Sequence, residues 1–71
     1  MTLSEVKELK HGEILHHVTE LNADKTPQRW RVSGMVKTWK RDASRVKVPV
    51  KHGMYDNGYI TEDNMHLVDR A

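Results

Sequence analysis

The sequence predicts a single small all-β domain. Its clearest strand is residues 28–41, and a second strand is indicated at residues 45–52, where Val46, Val48 and Val50 alternate with charged or constrained residues. Such alternation is typical of a strand with one buried face. Residues 28–41 alternate in the same way, whereas the one helical candidate, residues 2–9, is too short to be stable alone. With 71 residues, the chain has room for one domain of marginal stability.

The N-terminal residues 1–11 allow two interpretations. Thr2 and Glu5 have the spacing of a capping box, which favours a short helix. The same segment could instead be an extended arm that leads to Gly12. Residues 13–21 then predict a first strand, and the Asn, Asp and Pro content of residues 22–27 predicts a loop.

Residues 28–41 predict the second strand, with an interruption at Gly34. Trp30 and Val32 share the parity expected for the core, and Trp39 has the opposite parity. A glycine inside a strand often marks a bulge, and one extra residue there would reverse the parity of everything that follows. Trp39 therefore faces outward without a bulge and inward with one, and both alternatives remain open.

The last third of the chain predicts a hairpin and a closing strand. Pro49 lacks an N–H group, which places residues 45–52 at an edge or leaves them unpaired on one side. The Asp56-Asn57-Gly58 sequence predicts a tight turn with positive φ between Tyr55 and Tyr59. A short strand at residues 59–60, one helical turn at 61–64 and a last strand at 65–68 complete the predicted order.

Four groups of residues mark the order of these elements: Leu9, Gly12 and Ile14 at the entry, Val32-Ser33-Gly34 before the bend, residues 58–64, and the closing Met65-His66-Leu67-Val68. This order resembles the SH3-like small β-barrels, the group that includes KOW and Tudor-like domains. The resemblance implies a barrel of about five strands over residues 12–68, with a short helical turn before the last strand. The chain also resembles small bacterial and phage-borne proteins.

Composition argues against several classes of protein. The chain has no cysteine, so it can form neither a disulfide nor a thiolate zinc site. His16 and His17 are adjacent and would point to opposite faces of a strand, so a metal site is not expected. No nucleophile is placed beside a base and no glycine-rich phosphate loop is present, so neither catalysis nor a cofactor is expected. The lack of a long apolar run predicts no membrane span and no signal peptide, and a cytoplasmic location.

Charge is sorted along the chain. Residues 25–55 hold nine bases and one acid, Asp42, which gives +8, whereas residues 1–24 and 56–71 each sum to −3. The total of +2 therefore conceals a basic middle between two acidic ends. A concentration of charge of this kind indicates an anionic partner.

The predicted binding face lies on the outward parity of the two main strands. Cations on a pleated surface can follow a phosphate backbone, and an indole can stack on an unpaired base. Nucleic acid is the leading partner, and an acidic protein partner or self-association through the acidic ends is the alternative. An ordinary solvated face is the third interpretation. The candidate residues are Arg29, Arg31, Lys37, Trp39, Arg41, Arg45, Lys47 and Lys51.

Overall fold

A computed structural model describes residues 1–71 and confirms that the domain is predominantly β. Six antiparallel strands are accompanied by one short helix and one 3₁₀ turn. No helix has the length and apolar character needed to traverse a lipid bilayer. The elements are α1 (Leu3–Lys7), β1 (Ile14–Leu21), β2 (Pro27–Val32), β3 (Lys37–Thr38), β4 (Val46–His52), β5 (Asp56–Thr61), the 3₁₀ turn (Met65–Leu67) and β6 (Val68–Arg70).

Strand β4 is the centre of the sheet. It pairs with β5 along one edge and with both β2 and β3 along the other, while β1 joins β2 to β6. Of the two alternatives for Pro49, the edge position is wrong, because β4 is paired along both edges. The other alternative is correct: Pro49 pairs with Tyr59 in β5 but has no paired residue in β2 or β3, and on that side only its carbonyl oxygen bonds, accepting from Ser33 N at 2.9 Å. The missing N–H interrupts the ladder locally without ending the sheet.

The sheet does not close into a barrel, which corrects the prediction of a closed structure. The hydrogen-bonded path ends at β3 on one side and at β6 on the other, and β5 pairs with β4 alone. The free edge of β5 is occupied by a side chain. Asn64 Oδ1 accepts from Thr61 N at 2.7 Å, and Asn64 Nδ2 donates to Tyr59 O at 2.9 Å. This side chain satisfies two groups that a neighbouring strand would otherwise bond, so β5 remains at the edge.

The core is a single cluster of nine buried apolar side chains. Strand β4 supplies three of them by strict alternation, and α1 covers the cluster with Val6. The helical alternative for the N-terminus is the correct one, because Thr2 and Glu5 form the capping box. The N-terminal amine also donates to Met65 O and Val68 O at 2.8 and 2.9 Å, which fixes the helix against the last strand. The cluster is Val6, Leu9, Leu15, Val32, Val46, Val48, Val50, Ile60 and Val68.

The single strand predicted over residues 28–41 is in fact two strands, β2 and β3, which pair with the same edge of β4. Val32 pairs with Val50 and Lys37 with Lys47, so the four residues 33–36 lie opposite only two residues, 48 and 49. Two extra residues preserve side-chain parity, whereas one would have reversed it. Trp39 therefore keeps the outward parity of Lys37, which decides the alternative left open at Gly34.

The tight turn lies three residues earlier than predicted. His52 pairs with Asp56, so the β4–β5 hairpin turns through residues 53–55. Gly53 has the positive φ of 68°, and Gly58 lies within β5 without one. The Asp-Asn-Gly signal was wrong here because the register of β5 is set by burying Ile60 against the valines of β4. The helical turn before the last strand is likewise displaced, to Met65–Leu67.

Val48→Asp is expected to unfold the domain. Val48 is fully buried, and an unpaired carboxylate there would cost more than the few kcal/mol of stability, about 5 kcal/mol or less, that a domain of this size has. Val18 is half exposed, so Val18→Asp should change the free energy of unfolding by only about 0.5 kcal/mol. Circular dichroism melts of both variants check the strand parity, and a cooperative melt of Val48→Asp near the parent temperature would contradict it.

Gly34→Ala should destabilise the domain where Gly58→Ala does not. A Cβ atom on Gly34 would lie 2.7 Å from Pro49 Cγ, whereas one on Gly58 would meet nothing closer than 3.7 Å. The overlap should cost about 1–3 kcal/mol in a urea titration. Pro49→Ala removes that Cγ atom, so the double variant should recover part of the loss. Equal stability of the Gly34 and Gly58 variants would show that the bend does not depend on this contact.

Candidate nucleic-acid interface

Most of the sequence-predicted cations are brought onto one surface by β2, β3 and β4. Lys47 and Lys51 leave β4 on the side opposite its buried valines. Lys37 pairs directly with Lys47, and Arg31 pairs directly with Lys51. Arg41 lies apart from these strands, exposed in the β3–β4 connection. We call this surface the basic face; it comprises Arg29, Arg31, Lys37, Trp39, Arg45, Lys47 and Lys51, together with Tyr59.

One end of the basic face is aromatic. The Arg45 guanidinium lies 4.2 Å from the centroid of the Trp39 ring, and Lys37 Nζ lies 5.3 Å from the same ring. Lys47 Nζ lies 4.2 Å from the centroid of Tyr59. Each cation of this aromatic end is thus held against a π face, an interaction that stabilises charge without neutralising it. Trp39 is half-buried among these cations and is outside the core.

Tyr59 lies on the basic face, although the sequence indicated only that it flanks a tight turn. It is 54% exposed and pairs with Pro49, whose neighbours Val48 and Val50 point into the core. The misplacement of the turn concealed this position. Alternation alone could have revealed it, because Ile60 is the natural core residue of β5 and its neighbour must then face outward.

The other end of the basic face carries cations without partners. Arg29, Arg31 and Lys51 take part in none of the ion pairs of the chain and lie over none of its aromatic rings. They line a shallow depression of about 280 Å³ together with Ile14, Trp30 and Gly53. No carboxylate lines this depression. We call this region the cationic end.

The two carboxylates near the basic face, Glu62 and Asp42, accept hydrogen bonds from backbone N–H groups. Glu62 Oε2 accepts from Val46 N at 3.1 Å, and Glu62 Oε1 lies 3.7 Å from Arg45 Nε. The hydrogen bond from the Val46 backbone holds the pKa of Glu62 below its usual value. Asp42, the one acid of the basic segment, accepts from the hydroxyl and the N–H of Ser44, and the hydroxyl bond contributes most to lowering its pKa. Neither carboxylate lines the cationic end.

Two of the five histidines, His17 and His52, make local structural contacts. The Nδ1 atom of His17 accepts from Glu20 N at 2.9 Å and Thr19 N at 3.2 Å, where β1 loses register with β2. His52 Nδ1 lies 2.8 Å from Arg29 O, and its ring lies 5.1 Å from that of Trp30. No group of three potential ligand side chains is positioned to hold a metal ion.

A second cleft, of about 230 Å³, lies between Trp30, Gly58 and Leu67 on the inner side of the sheet.

No protein-family model matches this sequence, and neither the curated proteins nor the solved structures include a significant match.

Acid should destabilise the domain partly through Glu62. Because its pKa is lower in the folded chain than in the unfolded chain, its stabilising contribution is present above the unfolded pKa and is lost as the pH falls through the folded pKa. Glu62→Gln keeps an acceptor for Val46 N but cannot ionise. Urea titrations between about pH 6 and pH 3 should show a smaller loss of stability for this variant. Glu20→Gln is the exposed control, and an unchanged pH dependence in Glu62→Gln would contradict the assignment.

Proposed function

We propose that the protein is a non-catalytic binding module that contacts nucleic acid through the basic face. One observation carries the proposal: cations from β2, β3 and β4 lie on one surface, next to Trp39 and Tyr59, opposite the valine core. Such a surface combines attraction for phosphates with flat rings that bases can contact. Because the cations stand on paired strands, their spacing is fixed before a ligand arrives.

The two ends of the face suit two parts of a nucleic acid. Lys47 and Lys51 are four residues apart in β4, which corresponds to about 13 Å along a strand. A backbone that follows β4 can therefore meet both ends of the face. At the aromatic end, a base can stack on the Arg45 guanidinium or replace it over Trp39, since both planar groups stack on bases. Unpaired bases are the ones available for this contact, so a single strand is the favoured ligand.

A protein partner is the alternative. Met54 and Tyr55, at the tip of the β4–β5 hairpin, are 85% and 87% exposed. Methionine, tyrosine and arginine are enriched at protein interfaces, so an acidic partner could use this tip together with the basic face. Self-association could instead use Val18 and Leu21 on the β1–β2 hairpin, both half exposed. The dependence of binding on salt and on base stacking distinguishes these alternatives from nucleic acid.

Membership of the SH3-like domains is also a prediction. The order of strands and the 3₁₀ turn before β6 support the resemblance to SH3-like domains, although the sheet path is open. A cytoplasmic location and the absence of catalysis are parts of the same proposal.

Nucleic-acid binding should be mainly electrostatic. Contact with four or five phosphates would give a log–log dependence of affinity on salt with a slope of about −3 to −4. Replacing Arg31, Lys37 and Lys47 together by Gln should weaken binding to all sequences and reduce the magnitude of that slope by about 2–3. Fluorescence anisotropy with labelled single-stranded and duplex oligonucleotides measures both quantities.

The matched control replaces three cations outside the basic face, Lys7, Lys10 and Lys25, by Gln. It removes the same formal charge as the first triple variant. A difference in affinity between the two variants therefore reports where the cations lie, not how many charges the chain carries. If the two triple variants weaken binding equally, the attraction is diffuse and the proposed face is rejected.

Trp39→Ala should distinguish stacking from attraction between charges. Loss of a stacked base costs about 1–3 kcal/mol, so single-strand affinity should fall about 5- to 150-fold, while duplex affinity changes little. Because Trp39 lies outside the core cluster, the melting temperature should stay near that of the parent. A large drop in melting temperature with unchanged single-strand affinity would assign Trp39 to the fold instead.

A further inference from the structure

The two ends of the basic face differ in how their charges are compensated. At the aromatic end, Lys37 and Lys47 are directly opposite each other, but each also lies over an aromatic ring. Arg45 has both a ring and the Glu62 carboxylate. At the cationic end, Arg31 and Lys51 are likewise directly opposite each other, with Arg29 beside them, and none of the three has a ring or an acid.

This uncompensated pairing works against folding. Like charges directly opposite each other on antiparallel strands are destabilising. Two arginines outside the cationic end have carboxylate partners: Arg70 has Glu13 at 3.6 Å, and Arg45 has Glu62 at 3.7 Å. An anion from outside the chain, bound at the cationic end, would therefore reduce the repulsion between Arg31 and Lys51, which no acidic side chain of this chain reduces.

The shape of the cationic end suits a small anion. The depression of about 280 Å³ is bordered by Arg29, Arg31 and Lys51 on the strands and by Gly53 at the start of the hairpin turn. No atom lies within 4 Å of the position that a Cβ on Gly53 would occupy, so a ligand can approach the backbone closely. The N–H of Gly53 donates to no group of the chain and remains free to bond such a ligand.

We propose that the cationic end binds one phosphate group, with the two arginines as fork-shaped donors and Lys51 as a point charge. Guanidinium groups match the oxygens of phosphate bidentately, and bonds between ionised partners are the strong class of hydrogen bond. In a complex with nucleic acid this group is one backbone phosphate, and that source rests on the proposed function. A free phosphate or a phosphate ester in solution has the same chemistry.

The experiment is a titration of the ¹⁵N-labelled chain with inorganic phosphate, with sodium chloride at equal ionic strength as the reference. Saturable amide shifts are expected at residues 29–31 and 51–53, above those that chloride produces. Arg31→Gln combined with Lys51→Gln should weaken phosphate binding about tenfold or more. Lys10→Gln combined with Lys25→Gln is the matched control: it removes the same charge outside the basic face and should leave phosphate binding unchanged. Phosphate should also raise the melting temperature of the parent, because a ligand that binds the folded state stabilises it.

A second arm uses a single-stranded oligonucleotide and separates the two proposals. If phosphate binds the cationic end but the oligonucleotide binds no more tightly than free phosphate, the site stands and the proposed function is wrong. If the oligonucleotide binds with equal affinity to the parent and to the Arg31 and Lys51 variant, nucleic acid binds elsewhere on the basic face, and a backbone phosphate as the ligand of the cationic end is ruled out. Phosphate shifts that match those of chloride, or that spread over all cations, also overturn the site. The parent titration gives a result even if a variant fails to fold.

Discussion

The alternation of strand β4 is the constraint on which the rest of the structure depends. Its inward residues Val46, Val48 and Val50 form the centre of the core, so its outward residues Lys47 and Lys51 are fixed on the opposite side. Residues directly opposite each other in a sheet point to the same face. The pairing of β4 with β2 and β3 on one edge and with β5 on the other therefore determines which residues of those strands face the core and which face outward. The basic face is thus a direct consequence of how the core is filled, and Lys47 and Lys51 each have a buried valine next to them in β4.

The contact between Gly34 and Pro49 allows this division to continue past an irregularity. Pro49 cannot donate to the ladder, and the chain opposite it bulges by two residues instead of one. Only a residue without a Cβ fits beside the proline ring. Since an even insertion preserves parity, Lys37 and Trp39 stay on the same side as Arg31. The aromatic and cationic ends are therefore two parts of one surface, separated by the proline.

The sequence was sufficient for some features and not for others, for identifiable physical reasons. Strict alternation predicted β4 correctly, and the spacing of Thr2 and Glu5 predicted the cap of α1. The turn was misplaced because a local Asp-Asn-Gly preference was overridden by the register that buries Ile60. The open edge of β5 was beyond prediction because one side chain, Asn64, takes the place of a strand. For the candidate site, strand parity predicted which cations face outward. The cation–π contacts, and the position of Arg31 opposite Lys51 without an acidic partner, could not be predicted, because they depend on how β2, β3, β4 and β5 are aligned with one another.

The most direct test of the account is an amide chemical-shift map recorded with a short single-stranded oligonucleotide at low salt and again at high salt. One contiguous set of shifts is expected over the outward residues of β2, β3 and β4 and at Tyr59, and these shifts should become smaller as the salt concentration rises. Amides around the inner cleft near Leu67 and on α1 should remain unchanged. Shifts that centre on α1 or the β1–β2 hairpin, or a complex that is insensitive to salt, would contradict the central claim that the face opposite the valine core of β4 is the binding surface.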